Sequence, residues 1–89
     1  MKVGRVLRVF RIVNDYTVKQ MAEALNMASS YVCDIESLRK SLSYKTLEKY
    51  AKVFNVSPST ILKIHEFSEE NNGDFKKTLL EVVKIYVSE

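Results

Sequence analysis

The chain has a single cysteine, Cys33, so no disulfide can close within it. A single histidine, His65, stands apart from it, and no Cys/His cluster has metal-ligand spacing. A disulfide scaffold and a structural zinc site are therefore excluded. Neither metal nor cofactor is expected, and the lone thiol fits a reducing, cytoplasmic setting. Two glycines and one proline are too few turn-formers for a many-stranded sandwich or barrel, so the expected class is all-α. No apolar run approaches the roughly 20 residues of a membrane span. The N-terminal MKVGRVLRVFR starts basic, but Arg5, Arg8 and Arg11 interrupt its apolar stretch, which argues against a signal-peptide core. There is no Ser/His/Asp set and no glycine-rich phosphate loop. The chain is not expected to be an enzyme, and no small-molecule ligand is evident.

What is present is ordinary in amount and uneven in placement. With 46% hydrophobic and 28% charged residues, 89 residues suffice for one globular domain and an appended helix. The net charge of +3 is split along the chain. Residues 1–66 carry eleven Lys/Arg against six Asp/Glu, and residues 67–89 carry three against five. A basic head and a mildly acidic tail suit nucleic-acid binding by the first and protein contact by the second.

Helical spacing organises the head. Val3, Val6, Leu7, Phe10 and Val13 form one face of a first helix, with Arg5, Arg8 and Arg11 as a separate stripe. That stripe reads either as a solvated face or, in part, as a phosphate contact. Asn14-Asp15-Tyr16 breaks the pattern, and Thr17 is a good N-cap for a second helix with Met21, Ala22 and Leu25 inward and Val18 near its start. Asn26 can take the left-handed conformation that ends it. Only Asn26, Met27 and Ala28 then precede a third helix, SSYVCDIES, with Val32 and Ile35 inward. Leu38 to Leu42 is a loop carrying Arg39 and Lys40. Ser43 caps a fourth helix with Leu47, Tyr50, Ala51 and Phe54 on its inner face. Ser57 and Pro58 open a fifth, driven inward by Ile61 and Leu62, with Ile64 a further candidate. The polar stretch SEENNG, residues 68–73, reads as a linker or turn, and Asp74 as the cap of a last helix.

Two short helices joined by a three-residue turn, set among other short helices, make a helix-turn-helix. One α-helix fits the major groove of B-DNA, and the preceding helix braces it. From Tyr16 to Leu62 the chain resembles the lambda repressor/Cro-like (xenobiotic-response-element) helix-turn-helix domains. The resemblance is carried by Thr17, Met21-Ala22, Leu25, the SSYVCDIE segment, Ser43, Thr46-Leu47, Ala51 and NVSP followed by Leu62. It implies a five-helix domain over residues 1–66. It also implies that Ser29, Ser30, Cys33 and Asp34 lie near base edges or adjacent phosphates. Ser37, Arg39 and Lys40 then fall along the backbone, with Thr17, Val18 and Lys19 at the start of the bracing helix. Tyr31 is expected either to pack or to touch phosphate. Glu36 is expected in a structural ion pair or cap, and Cys33 as a surface or half-buried residue rather than a redox sensor.

Four departures from the family pattern stand out. Val18 replaces a frequent Gln, Asp34 a frequent Lys or other polar residue, Leu38 a frequent Gly, and Tyr50 a smaller aliphatic residue. The Leu38 departure suggests that the turn after the third helix differs from the family's. Asp34 is repelled by phosphate, though it can accept a hydrogen bond from cytosine N4.

The last segment, residues 67–89, is expected to be a linker and a C-terminal helix. Phe75, Leu79, Val82 and Tyr86 fall on one face and Leu80, Val83 and Val87 on another. One face can pack on the head, and the other is expected to meet the same helix of a second copy. Full burial within its own domain, or a strand, is the alternative. The expected function is thus a homodimeric, sequence-specific duplex-DNA-binding transcriptional regulator, a repressor, with helix 29–37 in the major groove. The other reading is a protein-interaction module on the same fold, such as an antitoxin or antirepressor partner.

Overall fold

The computed structural model describes residues 1–70 together with 83–84. The described residues form helices α1 (Gly4–Val13), α2 (Val18–Leu25), α3 (Ser29–Glu36), α4 (Tyr44–Phe54) and α5 (Pro58–Glu70). No strand occurs among the described residues, so the all-α reading holds.

The helix boundaries follow from local chemistry. The Thr17 hydroxyl accepts from the Gln20 N–H at 3.0 Å, and the Gln20 side chain accepts from the Thr17 N–H at 2.9 Å. This reciprocal box satisfies two donors that a helix start leaves orphaned. Ser43 caps α4 through the Thr46 N–H, and Ser57 caps α5 through the Thr60 N–H, each at 3.2 Å. Asn26 ends α2 at φ 57°, ψ 47°, and Asn55 ends α4 at φ 57°, ψ 43°. At both corners the next N–H turns back to the helix, Met27 to the Ala22 carbonyl and Val56 to the Ala51 carbonyl. The α2–α3 and α4–α5 corners are thus one backbone device used twice, made tolerable by asparagine's ease in the left-handed region.

The five helices close on one core. Val6, Leu7 and Phe10 from α1 meet Met21, Val32, Ile35, Leu47, Tyr50 and Ile61, all fully buried. The Phe10 and Phe54 rings stack at 5.2 Å between centroids, joining α1 to α4. Val3 and Ile64 belong to this core, whereas Val13 and Leu62 are only half-buried at its margin. Gly4 allows α1 to lie directly on the end of α3, because a Cβ there would sit 1.8 Å from the Ile35 carbonyl oxygen. Such an approach admits no side chain.

One reading is corrected here. Residues 68–70, expected in a turn, continue α5, and the buried Ser68 hydroxyl donates to the His65 carbonyl at 2.9 Å. Leu38 stands in the turn after α3. It adopts φ 66° itself, in the region that glycine would occupy without strain.

Candidate nucleic-acid interface

The α2–α3 corner presents a short helix whose two sides differ sharply. Val32 and Ile35 are buried, while Ser29, Ser30 and Cys33 are exposed. Residues three and four apart share a helix face, so Ser29, Ser30 and Cys33 form one outward strip. Tyr31 is half-buried and packs against the core, leaving it between the two roles open to it. At α2, Thr17 and Lys19 are exposed, whereas Val18 is half-buried against the core. Val18 therefore serves packing at the position where a polar side chain is frequent.

The two corners differ at the capping position. Ser57 caps α5, but the matching residue before α3 is Ala28, which has no side-chain oxygen and makes no cap. The first turn of α3 is left without the side-chain acceptor that α2, α4 and α5 have. Orphan N–H groups and the positive end of the helix dipole attract anions.

After α3 the chain folds back over Asp34. Its carbonyl accepts from the Arg39 N–H at 2.9 Å, the Lys40 N–H at 3.2 Å and the Ser37 hydroxyl at 3.3 Å. Its carboxylate faces the same two cations, 3.9 Å from the Arg39 guanidinium and 3.7 Å from the Lys40 ammonium. Lys40 also lies 5.7 Å from the centre of the Tyr31 ring. Ser37, Arg39 and Lys40 are exposed. The corner and the loop thus gather a neutral hydroxyl- and thiol-bearing strip, an uncapped helix start and a pair of cations.

What holds α3 in place lies behind it. Arg11 makes a two-pronged ion pair with Glu36, Nε to Oε2 at 2.7 Å and Nη2 to Oε1 at 3.0 Å, while its Nη1 donates to the Tyr16 carbonyl at 2.9 Å. Both side chains are nearly buried, at 12% and 7% exposed. The structural role expected of Glu36 is what is found. For Arg11 the reading is corrected: neither a solvated face nor a phosphate contact, it ties α1, the α1–α2 turn and α3 together. Sequence spacing within α1 could not reveal a partner twenty-five residues away. Gln20 and Gly4 also went unread, although Gln three residues after a Thr cap is a legible capping-box signal.

Of the residues assigned to dimerisation, Val83 is fully buried in the chain's own core, which is the packing-on-the-head arrangement for that position. Phe75, Leu79, Leu80, Val82, Tyr86 and Val87 lie outside the described residues. No group of three or more His, Cys, Asp or Glu suited to a metal ion occurs among the described residues. None of the described helices is long and apolar enough to cross a membrane.

Comparison with known proteins agrees with this geometry. A helix-turn-helix family model matches residues 7–61. The chain is 31% identical over 85 residues to the HTH-type transcriptional regulator ImmR of Bacillus subtilis, covering 94% of this chain and 67% of that protein. It is 31% identical over 75 residues to the immunity repressor protein of Bacillus phage phi105, covering 84% of this chain and 52% of that one. It is also 31% identical over 77 residues to the competence pilus inhibition repressor of Acinetobacter baylyi, covering 86% and 69%. The chain thus spans between half and about two thirds of these relatives. No solved structure gives a significant match. With its matched span covering α2, α3 and α4 whole, most of α1 and the start of α5, the chain belongs to the helix-turn-helix family, of the lambda repressor/Cro-like kind.

Proposed function

We propose that the chain is a sequence-specific duplex-DNA-binding transcriptional regulator, a repressor, that acts as a homodimer with α3 in the major groove. The observation that carries the reading is the exposed Ser29–Ser30–Cys33 strip on a helix braced from behind by the buried Arg11–Glu36 pair. A rigid helix with short polar side chains can approach base edges closely, and only one α-helix fits the groove. The uncapped first turn of α3, the Thr17 end of α2 and the Arg39/Lys40 loop supply contacts for flanking phosphates. All three relatives bear names of regulators or repressors, and promoter occupancy alone can block transcription.

In this reading residues 1–66 are the DNA-binding domain and residues 67–89 complete it and join two copies. Two heads about one helical turn apart would read a palindrome. Ser29 and Ser30 offer no two-pronged recognition of a base, so DNA shape contributes to selectivity. The chemistry is binding rather than catalysis, in the cytoplasm.

Selection of duplexes from a random pool, followed by affinity at several salt concentrations, tests this directly. A palindrome should emerge, bound by two chains per duplex, with affinity falling steeply as salt rises. No enrichment and no binding at low salt would sink the proposal. Capture of one non-self protein at equal stoichiometry would then favour the interaction-module reading.

A further inference from the structure

Resting on the DNA-binding reading, we infer that Asp34 is a specificity-determining residue: an internal counter-charge that holds Arg39 and Lys40 back from DNA of the wrong sequence. The two loop cations that phosphate would meet already face a carboxylate, at 3.9 Å and 3.7 Å. Those separations exceed hydrogen-bond range, and the cations are well exposed, 78% for Arg39 and 58% for Lys40. Exposed pairs of this kind are weak and are screened by salt, so phosphate can compete for both partners. Asp34 itself is only 26% exposed and rides on a braced helix. The cations can swing away on long stems, but the carboxylate cannot follow.

This arrangement makes binding conditional. When Arg39 and Lys40 turn to phosphate, Asp34 loses its counter-ions beside a polyanion. That penalty falls on every sequence alike. It is recovered where the groove offers the carboxylate a donor, such as the exocyclic amino group of cytosine. Non-cognate DNA has no such recovery. The Asp34 carbonyl fixes the register of the device, since it accepts from the N–H groups of both cationic residues.

The test compares the full chain with Asp34→Asn on two duplexes, one of random sequence and one selected by the wild type, across a salt series. Asp34→Asn should bind the random duplex about three- to tenfold more tightly at low salt, the size of one or two weak surface pairs released toward phosphate. The slope of log affinity against log salt should steepen by about one. The selected duplex should gain less, so discrimination narrows. In an Arg39→Gln/Lys40→Gln background the gain should shrink to the part that comes from the carboxylate's own repulsion by phosphate, and Asp34→Glu, which keeps the charge, should bind the random duplex as the wild type does. Thermal melting of each variant checks that the fold is retained. An Asp34→Asn chain that binds the random duplex no more tightly would overturn the counter-charge role and leave the DNA reading intact. So would a gain that is undiminished without the two cations, or one shared by Asp34→Glu. A wild-type chain that binds neither duplex at low salt would instead overturn the DNA reading, and this inference with it.

Discussion

At Leu38 the backbone takes φ 66°, where an L side chain crowds the following carbonyl at a cost of about 1–2 kcal/mol. Substitution with Gly and Ala separates that strain from packing, because both delete the half-buried leucine side chain. In ordinary backbone Ala is the more stable of the two. Here the order should reverse, with Leu38→Gly more stable than Leu38→Ala by about 1 kcal/mol in urea unfolding. Tyr50 supplies a second single-residue case. Its ring is fully buried and its hydroxyl has no hydrogen-bond partner among the described residues. Burial pushes that hydroxyl well above the usual tyrosine range, and the Glu36 carboxylate adds to the effect. A folded-state pKa above the unfolded value near 10 means stability present below that pH and lost as pH rises past it. Tyr50→Phe should be neutral or slightly stabilising at pH 7, since it removes an orphaned polar group. Thermal melting above about pH 10 should decline less steeply in the variant than in the wild type.

One buried ion pair fixes how the helices meet. Arg11 bridges α1, the α1–α2 turn and the end of α3. Arg11→Met leaves Glu36 as an unpaired buried charge and should lower stability by about 3–5 kcal/mol in urea unfolding. The double change Arg11→Met with Glu36→Leu should recover most of that loss, because the uncompensated charge is gone. The same elements separate what local sequence reveals from what it does not. Thr17, Ser43, Ser57 and Asn26 act within a turn of their own positions, so their cap and stop roles were readable from composition and spacing. The inward set Val6, Leu7, Phe10, Val32 and Ile35 followed from period alone. The Arg11–Glu36 pairing and the Gly4 approach to Ile35 depend on how helices meet, which period does not encode. Ser68 was misread because polar composition suggests a turn. Yet SEE contains no helix breaker, and the serine hydroxyl is satisfied inside α5.

For the molecule as a whole, the helix-turn-helix is an exposed strip on a braced frame, with Arg39 and Lys40 gathered at Asp34 of the same helix. The outward residues Ser29, Ser30 and Cys33 were legible from the family resemblance, as was the Arg39/Lys40 loop. The placement of those cations opposite Asp34 was not, since it depends on the chain folding back at Leu38. Specific binding should come from α3, while the flanking groups set affinity and its dependence on salt. The claim on which all of this turns is that α3 enters the major groove. Methylation protection on a selected duplex reads it directly, because dimethyl sulfate attacks guanine N7 in the major groove and adenine N3 in the minor groove. The account predicts guanines protected in two patches about one helical turn apart. Unchanged guanines, with protection confined to adenines, would contradict it.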